Sequence, residues 1–196
     1  MSPALANMWQ GQILEIFLWL YLMNYLTTYR VMKYNQNNRG GAFMIIVGYQ
    51  GIGKSSTVAE DRRHRFIDLE SSNFWIHGKR DPEWFKVYGN IADDLSRQGF
   101  IVFVSSHAVV RNYIAAISDE RKVIICPSLG LKDEWIDRLQ NRYRQEPTDK
   151  NYKALMNAVD RFDDNIKELL DTEGYEKFTL SSTNYRLSDF IDSYVL

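Results

Sequence analysis

Residues 48–55 read Gly48-Tyr49-Gln50-Gly51-Ile52-Gly53-Lys54-Ser55. This segment, called the glycine loop below, fits the pattern G-x-x-x-x-G-K-[ST] at every fixed position. Glycines at positions 51 and 53 tolerate unusual backbone angles, so the amide N–H groups of the loop can face an anion closely. The apolar run 43–47 precedes the loop and helix-compatible sequence follows it. The loop therefore predicts a strand–turn–helix site for the phosphates of a nucleotide.

Within the glycine loop, the residue types indicate separate roles. We expect Lys54 to reach the β- and γ-phosphates and the hydroxyl of Ser55 to ligate Mg²⁺. The residues predicted to hold the nucleotide are Gly48, Gly51, Ile52, Gly53, Lys54, Ser55 and Ser56. The motif is specific for nucleoside triphosphate binding and does not select a reaction.

Composition narrows the class of protein. The 196 residues include 24 Lys plus Arg and 25 Asp plus Glu, for a net charge of −1. Such a chain lacks the overall positive charge typical of duplex-binding proteins. The single cysteine, Cys126, excludes an internal disulfide framework and a cysteine-based zinc site. A reducing, cytoplasmic location is the expectation that fits this composition.

The chain divides into two unlike segments. Residues 1–43 carry three basic residues and one acidic residue, and residues 13–23 form an apolar run interrupted by Glu15. That run is short for a membrane span, which needs roughly 20 apolar residues. Three interpretations stay open: a helical extension upstream of a domain that starts at Met44, a helix that contacts a membrane or a partner, and a true span. Residues 44–196 form the second segment, with 24 acidic and 21 basic residues and a charge of −3.

The second segment alternates short apolar runs with amphipathic stretches, which is typical of an α/β fold with a parallel sheet. Strands are predicted at 43–47, 65–69, 100–105, 121–126 and 176–181. Helices are predicted at 54–62, 82–98, 107–118, 131–145, 150–171 and 186–194. Five strands with helices between them predict a three-layer nucleotide-binding fold around a five-stranded parallel sheet.

Two classes of nucleotide-binding protein fit the sequence poorly. A GTPase needs D-x-x-G after a strand and a guanine-reading N-K-x-D. Residues 171–174 match the first pattern, but they end a predicted helix, and the second pattern is absent from the sequence. A motor-type ATPase needs a strand that ends in Asp-Glu, whereas the run 100–105 is followed by Ser106-His107.

Residues 44–196 resemble the small P-loop kinases, the nucleoside monophosphate kinases with their shikimate and gluconate kinase relatives. The shikimate and gluconate branch carries an acid-x-acid pair at the end of the second strand, which Asp68 and Glu70 match here. The resemblance implies that Asp68 lies near Mg²⁺ and that Glu70 contacts a substrate hydroxyl. Glutamate at position 70 departs from the more usual aspartate.

The resemblance also implies a lid whose arginines clamp the phosphates. Arg138 and Arg142 are four residues apart and share one helix face, where two guanidinium groups can bind a polyphosphate. Arg111 is expected to contact a phosphate of the acceptor. The aromatic and basic residues of 75–80 are expected to face the acceptor, and residues 181–184 the adenine of the donor.

The resulting expectation is ATP-dependent phosphoryl transfer to a small acceptor, with a (deoxy)nucleoside monophosphate favoured and Mg²⁺ as cofactor. Lys54, Asp68, Arg138 and Arg142 are the predicted catalytic residues. Ser55 and Asp68 are the predicted metal-binding residues, and Glu70 and Arg111 the predicted substrate-binding ones. The alternatives are an ATP-hydrolysing switch and a nucleic-acid-linked ATPase, including a polynucleotide end kinase.

Overall fold

A parallel β-sheet forms the centre of the protein. The computed structural model describes residues 43–76 and 79–196. In those residues, five strands pair in the order β2-β5-β1-β6-β7, and every pair is parallel. Their bounds are β1 (Met44–Gly48), β2 (Phe66–Asp68), β5 (Ile101–Val104), β6 (Arg121–Pro127) and β7 (Glu176–Leu180). The predicted α/β fold with a five-stranded parallel sheet is confirmed.

Helices connect the strands, and the described residues contain six of them. They are α1 (Lys54–Glu60), α2 (Trp84–Arg97), α3 (Ala108–Ile117), α4 (Lys132–Gln145), α5 (Asp149–Asp171) and α6 (Leu187–Phe190). A π-helical turn, Ile191–Val195, continues α6. Each helix lies within two residues of a predicted start, and the predicted stop at Gly99 is present with φ of 101°.

The two central strands explain why the sheet forms where the sequence is most apolar. All residues of β1 and β5 are buried, and their register pairs Met44 with Ile101 and Val47 with Val104. A strand that is covered on both faces needs apolar side chains at successive positions, because both sets of side chains leave water. The continuous apolar runs of the sequence therefore become the middle of the sheet.

Contacts between helices divide them into two groups. Arg186, just before α6, forms an ion pair with Glu60 of α1. The second group consists of α2, α3 and α5. Tyr113 of α3 donates to Asn90 of α2, and Arg111 of α3 pairs with Glu168 of α5. Crossovers between parallel strands are right-handed as a rule, and with this strand order the rule puts α1 on one face of the sheet and α2 to α5 on the other. The arrangement is consistent with three layers.

A small hairpin lies outside the predicted elements. Residues 71–74 form a 3₁₀ turn, and β3 (Trp75–Ile76) pairs antiparallel with β4 (Lys79–Arg80). Strands of two residues are too short to carry an alternating pattern, so the sequence indicated only a loop. The hairpin brings Trp75 opposite Arg80.

The expected helical extension over 1–43 lies, except for Phe43, outside the described residues. Among the residues that the structure does describe, no helix has both the length and the apolar character needed to cross a membrane.

An aromatic cluster packs against the side of the glycine loop that faces the core. Tyr49 and Trp135 are almost completely buried, and the Tyr49 ring meets that of Phe162 edge-on at a centroid distance of 5.8 Å. The indole N–H of Trp135 donates to the carbonyl of Gln50 at 3.0 Å. Helices α4 and α5 thus hold the loop through side chains that sit in the core.

Gly51→Ala is expected to destabilise the protein by about 2 kcal/mol. Gly51 has φ of 82°, and a Cβ there would lie 2.9 Å from Cδ2 of Leu139. The substitution therefore adds backbone strain and overpacking at one position. The free energy of unfolding, measured by denaturant titration, tests this.

Gly130→Ala is the matched control, because a Cβ at Gly130 would meet no atom within 4 Å. That variant should stay within about 0.5 kcal/mol of the wild type. Equal losses for the two variants would contradict the role assigned to Gly51.

Candidate functional site

The glycine loop connects β1 to α1, and the side chain of Lys54 folds back onto the loop backbone. Gly53 has φ of 99° and caps α1, and its carbonyl accepts a hydrogen bond from the amide of Thr57 at 2.9 Å. The ammonium of Lys54 donates to the carbonyl of Gly48 at 2.8 Å and to that of Tyr49 at 3.4 Å. The ammonium of Lys54 is therefore held by carbonyls of the glycine loop, and its predicted contact with the phosphates of a nucleotide stays a prediction.

The structure brings Ser55 and Asp68 together. Ser55 Oγ donates to Asp68 Oδ2 at 2.8 Å, although 13 residues separate them. Asp68 ends β2, two strands away from β1, and the parallel arrangement puts both residues at the carboxyl edge of the sheet. A hydroxyl and a carboxylate oxygen are ligands that suit Mg²⁺.

The two residues fit a magnesium ion that is also bound by phosphates. Over 43–76 and 79–196, no group of three or more His, Cys, Asp or Glu side chains could hold a metal. Magnesium in nucleotide sites takes one or two protein ligands and completes its shell with phosphates and water. Ser55 and Asp68 supply that number of ligands.

Burial shifts the pKa values of both charged groups next to the loop. Burial lowers the pKa of Lys54, and the charges of Asp68 and Glu70 oppose that shift only in part. Burial also raises the pKa of Asp68, against the opposing effects of Lys54 and of the Ser55 hydrogen bond. Paired but desolvated charges are costly to a fold and are typical of sites selected for chemistry.

Glu70 lies beside Asp68 and is joined to the distant helix α5. Lys150 Nζ donates to Glu70 Oε1 at 2.6 Å across 80 residues of sequence. Burial favours a raised pKa for Glu70, but its hydrogen bond to Lys150 and the charge of that lysine outweigh burial and lower it. The carboxylate predicted to contact substrate thus has a cationic partner in the protein.

Arg142 is fixed by the junction between α4 and α5. Its guanidinium donates from Nε to Asn151 Oδ1 at 2.6 Å and also from Nη2 to the same oxygen. Asn151 is buried and donates to the carbonyl of Glu146 at 2.8 Å. Thr148 caps α5 by accepting from the amide of Asn151. The junction is therefore a connected polar network with one arginine at its surface.

Arg138 is held differently from Arg142. Its guanidinium carbon lies 5.4 Å from the ring centroid of Trp135 and 5.3 Å from that of Tyr185. Arg138 Nη1 donates to the carbonyl of Thr183 at 3.0 Å. The hydroxyl of Tyr185 donates in turn to the carbonyl of Ile52 in the glycine loop at 2.9 Å. Arg138 thus joins α4 to the segment after β7.

Both predicted lid arginines border one open cleft of about 540 Å³. It is lined by Glu134, Asp137, Arg138, Asn141, Arg142, Gln145 and Thr183. The cleft lies between α4 and the segment that the sequence predicted to face adenine.

Arg111 lies in a different environment from the one expected. Its guanidinium pairs with Glu168 of α5 at 2.6 Å, and it also donates to Thr172 Oγ1 and the carbonyl of Ser106. Only 4% of its side chain is exposed. These contacts connect α3 to α5, and the predicted role in acceptor binding stays a prediction.

An aromatic and cationic cluster lies beyond the ends of β2 and β5. The Arg80 guanidinium lies 4.0 Å from the ring centroid of Trp84 and 5.0 Å from that of Trp75. His107 meets the Trp84 ring edge-on, and burial with the charges of Arg80 and Arg111 lowers its pKa. Trp75 is 55% exposed, so one face of the cluster is open to solvent.

Tyr88 fixes the strand ends that carry these residues. Its hydroxyl donates to the carbonyl of Leu69 and accepts from the amide of Ser105 at 2.9 Å. One buried phenol thereby joins the chain after β2 to the chain after β5. Asp68 and Glu70 flank this tie.

Several contributors were missed by sequence reasoning: Tyr88, Lys150, Asn151 and Tyr185. Each acts through a partner at least 9 residues away, and none belongs to a motif. Only Asn151 gave a local signal, since it follows the Pro-Thr pair that ends one helix and caps the next.

Comparisons with protein-family models, with curated proteins and with solved structures give no match. The function is therefore inferred from the residues of the site.

Arg111→Met is expected to lower the free energy of unfolding by about 2–3 kcal/mol. The substitution leaves Glu168, Thr172 and the part-buried carbonyl of Ser106 without their common donor. Denaturant titration measures the loss, and the exposed Arg62→Met is the control, expected within about 0.5 kcal/mol. Unchanged stability, with a weaker affinity for acceptor only, would instead support the substrate-binding prediction.

Asp68→Asn is expected to change stability in a pH-dependent way. Since its pKa is raised in the folded state, the carboxyl contributes stability at low pH that is lost as pH rises through the folded pKa. The asparagine variant should therefore gain stability relative to wild type on going from about pH 4 to about pH 7. Urea titrations with a metal chelator present measure the difference.

Asp119→Asn, the same substitution at an exposed position, is the control and is measured at the same two pH values. A difference between Asp68→Asn and wild type that is the same at both pH values would contradict the assigned burial cost.

Proposed function

We propose that the protein transfers the γ-phosphoryl group of a magnesium-bound nucleoside triphosphate, ATP in the first instance, to a small acceptor. The observation that carries the proposal is the hydrogen bond from Ser55 to Asp68 beside Lys54 of the glycine loop. It joins a phosphate-binding motif to a carboxylate at the carboxyl edge of the same parallel sheet. Such an edge is where open α/β sheets bind ligands.

The loop residues would bind the phosphate chain of the donor. Gly51 and Gly53 have positive φ, a conformation in which successive backbone amides can form an anion-binding concavity. The ammonium of Lys54 would exchange its carbonyl partners for phosphate oxygens. Its lowered pKa reflects burial, and a bound polyphosphate would favour the charged form.

Ser55 and Asp68 would hold Mg²⁺, which when bound neutralises phosphate charge and orients the group being transferred. Arg142 lines the cleft that also includes Arg138 and Thr183, and its charge adds to the burial that lowers the pKa of Lys54. Lys54 and Arg142 would stabilise charge on the equatorial oxygens of the transferred group. Arg138 would border the donor from the cleft next to Thr183.

The acceptor is proposed to be a (deoxy)nucleoside monophosphate. The cluster of Trp75, Arg80 and Trp84 lies on the chain that directly follows Glu70. An exposed indole can stack on a nucleobase, and an adjacent guanidinium attracts a phosphate. This combination suits an acceptor with both a planar ring and an anionic group.

Simple hydrolysis is the less favoured alternative. A water-activating ATPase needs a carboxylate at the end of the strand next to β1, which is β5 here. Ser105, Ser106 and His107 follow β5 instead, and His107 is held by Ser105 and Trp84. The net charge of −3 over 44–196 favours a small acceptor over a polynucleotide.

Phosphoryl transfer is expected with at least one acceptor from a panel of nucleoside monophosphates, sugars and DNA ends. ADP production from ATP with Mg²⁺ is the measurement. Lys54→Ala and Asp68→Asn should each lower the acceptor-dependent rate by about 100-fold or more, because each removes a charge from the transition state.

Lys177→Ala, an exposed lysine on β7, is the matched control and should retain the wild-type rate. If no acceptor in the panel changes the rate of ATP hydrolysis, the kinase proposal is wrong. Absence of ATP binding by the wild-type protein would contradict the proposal that ATP is the donor.

A further inference from the structure

We infer that Lys150 is a phosphate-binding residue of this site and that Glu70 is the positioning residue that holds its ammonium over the carboxyl edge of the sheet. The inference rests on the proposed function and assigns a residue that no motif indicated. It also gives Glu70 a role other than contact with a substrate hydroxyl.

The first support is the place where the ion pair forms. Lys150 Nζ lies 2.6 Å from Glu70 Oε1. Glu70 follows Asp68 by two residues, and Asp68 is hydrogen-bonded to Ser55. The charge of Lys150 also adds to the burial that lowers the pKa of Lys54, and it opposes the burial that raises the pKa of Asp68. The ammonium therefore belongs to the electrostatic environment of the glycine loop and not to a remote surface.

The second support is the rigidity of the backbone that carries Lys150. Its neighbour Asn151 is buried and bound to both Arg142 and Glu146. One turn further along α5, the carbonyl of Ala154 accepts from the side chain of Gln50, a residue of the glycine loop. The backbone of α5 is thus held on both sides of Lys150, by Asn151 in its first turn and by Ala154 in its second, so Lys150 needs only side-chain rotation to change partners.

Charge balance indicates what the new partner is. Lys54, Arg142 and Lys150 bring three positive charges near the two carboxylates of Asp68 and Glu70. Removing Lys150 would take away one of these positive charges, and the remaining ones would attract a polyanion more weakly. A cation at this position therefore suits a triphosphate.

Exposure favours exchange over a purely structural ion pair. The side chain of Lys150 is 59% exposed and that of Glu70 32% exposed. Exposed pairs of this kind add little to stability, because water screens them and both side chains lose freedom. A flexible ammonium that is already near the loop can therefore move to a phosphate at small cost to the fold.

Lys150→Met tests the inference in the full-length protein. We expect a fall of about 10- to 100-fold in kcat/KM for magnesium-bound ATP, and weaker binding of the same nucleotide by calorimetry, with the melting temperature nearly unchanged. Lys150→Arg should keep most of the activity, since a guanidinium can make both contacts. Glu70→Gln should raise KM for ATP with a smaller effect on kcat.

The reversed pair Glu70→Lys with Lys150→Glu separates the two roles. It keeps an ion pair but puts a carboxylate on α5, so the melting temperature should stay near that of the wild type and activity should remain low. Recovery of activity in the reversed pair would show that the contact is only structural, and would overturn the inference.

Lys153→Met is the matched control, because Lys153 is an exposed lysine one turn along the same helix. Equal losses for Lys150→Met and Lys153→Met would also overturn the inference, as would wild-type kinetics in Lys150→Met. A wild-type protein that binds no ATP would instead refute the proposed function. A wild type that binds ATP and transfers phosphate, with an equally active Lys150→Met, would refute the inference alone.

Discussion

The packing of Trp135 against the glycine loop is the contact on which the rest of the site depends. The loop has two glycines with positive φ and includes a lysine that is folded against backbone carbonyls. Neither feature is stable by itself in water. The buried indole satisfies the carbonyl of Gln50, and Leu139 fills the space beside Gly51. Helix α4 thereby supports the loop from the core and presents two arginines on its outer part.

The site combines a backbone that is fixed by buried hydrogen bonds with charged side chains whose burial costs free energy. Tyr88 ties the ends of β2 and β5, and Asn151 ties α4 to α5, so the backbone positions are set by buried hydrogen bonds. Above them, Lys54 and Asp68 both have pKa values shifted by burial in the direction that opposes their charge. A fold accepts such a cost where preorganised charge is useful, and a polyphosphate with its metal would relieve it.

Sequence reasoning predicted the sheet well because its strands are short apolar runs between polar segments. All five predicted strands overlap the observed ones, and the link between Ser55 and Asp68 follows from strand ends meeting at one edge. The hairpin at 75–80 escaped prediction, since two-residue strands carry no period. Arg111 shows a second limit: its partner Glu168 lies 57 residues away, and no local pattern distinguishes a buried ion pair from a ligand contact. Lys150 was missed for the same reason.

The buried indole also gives the protein an internal optical reporter. Of the three tryptophans in the described residues, Trp75 is 55% exposed and Trp84 packs against the Arg80 guanidinium, whereas Trp135 is fully buried and bonded to the loop. Indole emission depends on the polarity and hydrogen bonding around the ring. Any ligand that rearranges the carbonyl of Gln50 changes the surroundings of one chromophore directly. A ligand that moves this carbonyl would therefore be detected by the fluorescence of a native side chain, without an attached dye.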